Sequence, residues 1–506
     1  MSRWVLGSAG LIAATAALNG LAADPSDPLL NVLIKKGILT EKEADDIKTE
    51  AQNAQTNAPT PFLSKWKISD GIKSVELFGD LKFRYEHRAA DAPDGQRLIR
   101  DRERYAVRIG IRGDLAEHFY YGLRLETSSN PRSTWVTFGD ESSFPFPGPS
   151  AKTSDTVNIG QVYLGWRPED WVDLTIGKFP NPFYTTSMVW DTDINPEGFS
   201  EQFKYTTLND KLDLRAKFMQ MIYQDITPNS SVLGVFPGNA DNTEIPFLLA
   251  WRLGATYHFG KTMSASIDPT LYNYTSHGQN GFGVINTGGS LNPAAGFGGT
   301  FVGEGVRNPD GSFQGGNYPG GTVSTSAGPF FNQTGINDLM IVELPAEFNV
   351  QVSKLNLKIF GDLAINLDGD NRARQAALVL QQAAIPGITA QTGEDKAYQI
   401  GMALSNTTGT PKKGTWEARV YWQHIEQYAL DVNLIDSDYF EGRGNLEGVS
   451  AGFIYNFTDN IFGSIRYGHA DRINKSLGTG GSNQDLPWLN PINNYNLVQV
   501  DLGLRF

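Results

Sequence analysis

Basic side chains recur at even spacing in the first part of this chain. Lys82 and Arg84, then Arg104, Arg108 and Arg112, then Arg124 stand two or four residues apart, with Arg252 in a similar setting further on. Glu76, Asp80, Glu86 and Glu126 lie among them at the same parity. Residues two apart share one face of a strand, so this spacing builds a charged wall. Fixed charges lining an aqueous passage set which ions move along it. Arg215, Lys217, Lys358, Arg419, Arg466 and Arg505 extend the pattern, against Asp213, Asp362, Glu417 and Asp501. The inferred wall leans basic although the whole chain carries a formal charge of −13, so the negative excess is expected in loops and in the N-terminal segment. A weak anion preference, or a field across a narrow point, follows. The alternative is that these charges mainly pair with one another across strands.

Other chemistry finds little support. The six histidines show no HExxH spacing and no nucleophile elbow accompanies them, so the chain is not expected to be an enzyme. His469 near Asp471 is an ordinary pairing of loop residues. Without cysteine there is no disulfide, thiol or Cys-metal site. Asp191-x-Asp193-x-Asn195 echoes the start of a calcium loop, but Pro196 stands where that loop needs glycine and Gln202 where it needs an acid. A turn rich in Asx caps is the better reading, and no metal or other cofactor is expected. A pI near 5.0 makes nucleic acid an unsuitable partner.

The elements that would position the charged wall are strands. Val75, Leu77, Leu81, Phe83 and Tyr85 alternate with polar residues, as do Tyr105 to Ile111, Leu249 to Phe259, Leu355 to Ile365, Tyr398 to Leu404 and Val449 to Phe457. Most runs span about ten residues, the length a tilted strand needs to cross a bilayer core. Short turns near Ala116, Pro168, Leu208, Gly260, Ser353, 408–413 and Thr458 alternate with long segments at 88–101, 128–155, 179–198, 223–245, 274–337, 367–395, 426–444 and 470–494. That segregation predicts an all-β, transmembrane antiparallel β-barrel of about 16 strands over residues 59–506, with short turns on the periplasmic side. A mean hydropathy of −0.31 is compatible, because only alternate residues face lipid. Aromatics such as Phe119, Trp166, Trp171 and Tyr257 flank the short turns, as an interfacial girdle would.

Both ends carry signals. Residues 1–22 read as a cleaved secretory signal peptide, with a short apolar core and Gly20-Leu21-Ala22 at the cleavage site. Within 23–58, Leu29 to Ile34 and a capping box at Thr40 and Glu43 predict a periplasmic helical hairpin followed by a polar linker. At the other end Val500, Leu502, Leu504 and Phe506 share one face of a final strand, with Asp501 and Arg505 on the other. A wide barrel also needs something to narrow it. Residues 179–198, with Phe183, Trp190, Asp191 and Asp193, are one candidate constriction loop and residues 128–155 another. Residues 274–337 read as an external Gly- and Asn-rich loop, and Arg372 to Ala384 as a helix inside a loop, at the mouth or on the rim.

The stretch Gly79-Asp80-Leu81-Lys82-Phe83-Arg84-Tyr85-Glu86 and the strand of Arg102, Arg104 and Arg108 resemble the opening of the putative-porin family of bacterial outer-membrane barrels, distantly like phosphate-selective porins. Gly122 to Thr127 with Asn130 to Thr134 are similar too, as are Gly177 to Phe183 leading to Trp190-Asp191 and Pro196-Glu197-Gly198, and Asp436-Ser437-Asp438 with Gly448. The resemblance implies a diffusion channel across the outer membrane. It also implies outer-membrane lipid and the barrel-assembly machinery as partners, the latter reading the terminal aromatic strand, and a homotrimer as the assembly. Alternatives are a substrate-specific channel, or an envelope-tethering barrel in which residues 28–52 hold the cell wall or a periplasmic partner.

Overall fold

The computed structural model describes residues 71–93, 95, 97–128, 133–139, 156–223, 247–275, 306–307, 313–314, 338–382, 389–407, 409–479 and 491–506. These fall in the second of two compact units, Gly71–Phe506. The segments expected to be a signal peptide and a helical hairpin, and most of 128–155, 223–245 and 274–337, lie outside the described residues.

Sixteen antiparallel strands close into one barrel. The first eight are β1 (Glu76–Asp91), β2 (Arg97–Asp114), β3 (Phe119–Ser128), β4 (Thr156–Trp166), β5 (Val172–Lys178), β6 (Glu197–Thr207), β7 (Leu212–Ile222) and β8 (Phe247–His258). Strand β9 runs in two pieces, Met263–Ile267 and Thr270–Tyr274, as does β10, Met340–Glu343 and Ala346–Val352. Then follow β11 (Leu355–Asn366), β12 (Lys396–Ser405), β13 (Trp416–Ile425), β14 (Leu446–Asn456), β15 (Ile461–Arg472) and β16 (Asn494–Arg505). Pairing of β1 with β16, from Asp80↔Arg505 to Asp91↔Asn494, closes the ring. Closure pairs the backbone groups that an open sheet edge would leave unsatisfied in lipid.

Period-two alternation explains the strands. Phe83, Ile109, Leu125, Leu253, Ile400, Phe453 and Val500 all stand exposed on the outer face, the surface a bilayer covers. Phe506 ends the ladder, exchanging backbone hydrogen bonds with Gly79 at 2.9 and 3.1 Å. A Cβ on Gly79 would come within 2.3 Å of the Arg108 carbonyl, so only glycine fits there. The breaks in β9 and β10 fall at Pro269 and Pro345, which have no N–H for the ladder. A bulge at Gly160 restores the inward–outward alternation between β3 and β4.

One expected boundary changes. Residues 88–101 are not a long connection: β1 and β2 stay paired as far as Asp91↔Arg97, leaving only 92–96 as the link. Apolar alternation lapses there because the outward positions include His87 and Asp101, which bond each other at 2.8 Å. The helix expected from Arg372 forms as α1 (Gly369–Gln382), with Ala373 packed against Tyr428 and Leu477.

Candidate functional site

The inner wall changes character along the strands. On β16 the inward side chains run Tyr495, Leu497, Gln499, Asp501, and the first two are fully buried. On β8 the sequence is Leu248, Ala250, Arg252, with Leu248 and Ala250 also buried. Those upper, apolar positions are covered by chain that folds into the barrel.

The first inward arm is 179–196, between β5 and β6. Its neck is pinched by the Phe179 N–H donating to the Pro196 carbonyl at 3.0 Å. Strands β7 to β11 then hold its near half. Lys217 Nζ donates to the Pro182 carbonyl at 2.7 Å and Arg252 Nη2 to the Phe183 carbonyl at 2.9 Å. Thr185 bonds Glu343, and Thr186 Oγ1 donates to Asp362 at 2.5 Å. Phe183 and Trp190 are completely buried, and Trp190 Nε1 donates to the Tyr272 hydroxyl at 3.0 Å. Each large apolar side chain taken out of water contributes about 1.5–3 kcal/mol, so packing, more than the bonds, keeps this arm inside.

A second arm, 426–445 between β13 and β14, meets it. Leu430 and Leu434 close on Val189 and Trp190. The Asp191 N–H donates to the Leu434 carbonyl at 2.6 Å, and the Asp436 N–H to the Ser187 carbonyl at 3.1 Å. Ser437 gives the Asp191 carboxylate both its N–H, at 3.1 Å, and its hydroxyl, at 2.9 Å. Loop length alone makes 426–444 an ordinary long connection. A signal to the contrary is present: Ala429, Leu430, Val432, Leu434, Ile435, Tyr439 and Phe440 are too apolar for an external loop, and all are buried.

The far side of the arms faces arginines. Lys82, Arg84, Arg104, Arg108, Arg112 and Arg124 occupy inward positions of β1 to β3. Arg84 bonds Asp501 at 2.7 Å and Asp438 at 2.9 Å, with its guanidinium 4.0 Å from the Trp135 ring centre. Buried Glu86 accepts from Arg102 Nε at 2.5 Å, Arg88 Nη2 at 3.0 Å and Gln499 Nε2 at 2.8 Å. Arg104 donates to Ser133 at 3.1 Å. Arg108 bridges Asp193 at 3.2 Å and Asp80 at 3.3 Å. Lys82 lies 3.6 Å from Asp80, and Arg124 bonds Glu126 at 2.9 Å. Arg112 pairs with Glu76 at 2.8 Å at the short-turn end, half exposed. Arg252 differs. It is buried beneath the first arm, bonded to Glu343 at 3.3 Å, and acts as an anchor for that arm. Of the other candidate loop, Thr134 donates to Asp193 at 3.3 Å.

The arms carry acids whose protonation diverges. Burial, reinforced by Asp193 and Asp436, pushes the Asp191 carboxyl well above its usual range. Burial and then Asp438 push Asp436 up to about 6. Burial also raises Asp438, but Arg84, Arg466 and Arg88 outweigh it and hold that carboxyl well below the usual range. The result is an acidic face on the arms turned toward a basic wall, with Tyr184, Arg419 and Arg466 left substantially open to solvent. Among the described residues no group of His, Cys, Asp and Glu is arranged to hold a metal ion.

A family described as "Putative porin" matches residues 95–283 and 317–506, a span that includes both arms. Several solved bacterial porins are similar in structure. OmpF of Salmonella typhi, in complex with daunomycin, shares 9% identity at a TM-score of 0.42, covering 87% of this chain and all 100% of its own. An anion-selective porin from Comamonas acidovorans shares 10% at 0.39, covering 86% and 99%, and OmpT of Vibrio cholerae shares 8% at 0.38, covering 87% and 99%. No residue role passes from these proteins to this chain. No curated protein matches.

Proposed function

We propose that this chain, which belongs to the putative-porin family, is an outer-membrane channel through which small hydrophilic solutes and ions diffuse passively, with a weak preference for anions. The two arms narrow the lumen, and solutes pass between them and the open part of the wall on β11 to β16. The observation that carries the ion preference is a contrast in exposure. Asp191 retains 9% of its surface and the Asp438 side chain 22%, whereas the inward side chains of Arg419 and Arg466 retain 44% and 40%. At the arms an ion therefore meets arginines more accessible than the arm carboxylates, with Glu417 beside Arg419, its side chain 39% exposed, offsetting part of that charge. Lys82, Arg84, Arg104, Arg108, Arg112 and Arg124 shape the field from the facing wall, while Phe183, Trp190, Asp191 and Asp193 shape the constriction. Assembly as a homotrimer in outer-membrane lipid belongs to the same reading.

The test is a reversal potential across a planar bilayer under a potassium chloride gradient. A sign corresponding to chloride preference supports the proposal, and clear cation selectivity overturns the ion preference. Absence of any conductance from correctly folded protein overturns the channel itself.

A further inference from the structure

The strand register brings together three inward positions that lie far apart in sequence. Arg419 on β13 pairs with Gly452 on β14, and Gly452 pairs in turn with Arg466 on β15. Two arginines therefore stand at one level of the ladder, flanking a residue with no side chain. Their Cα atoms are two strand spacings apart, roughly 10 Å.

The glycine between them differs from others on the inner wall. At the inward glycines Gly122, Gly468 and Gly503, an aromatic ring covers the place a side chain would take, coming within 2.4, 2.4 and 2.3 Å of where a Cβ would stand. At Gly452 the nearest atom among the described residues is the Ile465 carbonyl oxygen at 3.7 Å, and none of their other atoms lies within 4 Å. The floor between the two arginines is open.

The two guanidiniums also lean away from each other. Arg419 bonds Glu417 on its own strand at 3.2 Å and sits 5.7 Å from the ring centre of Phe360, on the β11 side. Arg466 reaches the other way, to Asp438 at 3.3 Å. Glu417 is itself exposed, and Asp438 is shared between Arg466 and Arg84, which bonds it at 2.9 and 3.0 Å. A compact anion cannot satisfy two cations splayed in this way. An elongated one with a charge at each end can.

We infer that Arg419, Gly452 and Arg466 form a solute site for linear dicarboxylates, each carboxylate taken by one guanidinium and the apolar spacer laid over the glycine floor. Tyr184, on the first arm and 39% exposed, supplies the opposite wall for the spacer. Because the two guanidiniums lean apart, their separation exceeds the roughly 10 Å between the Cα atoms, so the site takes an extended dicarboxylate in preference to a compact one. The site rests on the channel reading and gives that channel a preferred solute class.

The experiment uses the full-length protein in planar bilayers and measures how adipate or suberate reduces the potassium chloride current. Hexanoate serves as the equal-length monoanion and malonate as the compact dianion. The expected result is half-block by the long dicarboxylate at a concentration about tenfold or more below that for either comparator, since each charge-assisted contact adds that order of affinity. Arg419→Ala and Arg466→Ala should each remove this advantage. So should Gly452→Phe, which keeps both guanidiniums and fills the floor. Equal block by all three anions, preference for malonate, or a long-chain preference that survives Gly452→Phe overturns the site. Channel failure reads out separately, as absence of potassium chloride current before any carboxylate is added.

Discussion

Trp190→Ala tests whether packing between the two arms narrows the channel. The indole is fully buried, bonds the Tyr272 hydroxyl at 3.0 Å, and fills the space bounded by Leu430, Leu434 and Ile341. Removing a buried Trp side chain costs about 3–5 kcal/mol in lost transfer energy and unfilled cavity. The Tyr272 hydroxyl is not stranded, because it still donates to Glu343 at 2.7 Å. The bonds of Lys217, Arg252 and Thr186 to the near half of the first arm remain, each contributing about 1 kcal/mol net. The base of the arm should therefore stay docked while its tip, with Asp191, comes away from Ser437. A loss of about 3 kcal/mol shifts a docked–undocked equilibrium more than a hundredfold. The barrel ladder is untouched, so heat-modifiable migration should still report a folded barrel. Single-channel recordings should show higher conductance and greater open-channel noise than wild type. Trp171→Ala, on the outer face at 54% exposure, should change neither. A folded Trp190→Ala barrel with wild-type conductance and noise would refute the packing argument.

Acidification offers a second handle on the arms. The Asp436 carboxyl is raised to about 6, so its contribution to docking is complete below the ordinary carboxylate pKa near 4 and is lost as pH rises through 6. Open-channel noise should fall between pH 7.5 and 4.5, and Asp436→Asn should abolish most of that change; an unaltered profile counts against the assignment. Glu343→Ala leaves Arg252 without its buried carboxylate partner, and breaking such a pair costs about 3–5 kcal/mol. Denaturant or thermal unfolding should show that loss, whereas Arg112→Ala, at an exposed pair with Glu76, should shift stability by no more than about 1 kcal/mol. Gly79→Val should impair closure of β1 on β16, read as reduced heat-modifiable protein in the membrane fraction, because its Cβ meets the Arg108 backbone.

Much of the architecture is legible in the chain because it rests on a short-range rule. In Val498 to Phe506 each outward residue is apolar and each inward one polar or small, and that rule repeats wherever a strand crosses. Where outward positions turn polar, at His87 and Asp101, the same rule ends the strands too early. The inward direction of the arginines follows from parity. Their partners do not: Arg84 meets Asp438 and Asp501, more than 350 residues away in the chain.

The barrel, its inward charged face and one arm rich in proline and aromatic residues are therefore written in local pattern. Three other features exist only once the chain has folded. A second arm, 426–445, turns inward to meet the first; Arg252 becomes a buried anchor; and Arg419 and Arg466 come to flank the open Gly452. The division has a cause in the geometry. Alternation is a property of neighbours along one strand, whereas exposure inside a closed barrel depends on register between strands and on which loop covers them. Those are set by packing among residues distant in sequence, and no local pattern encodes them.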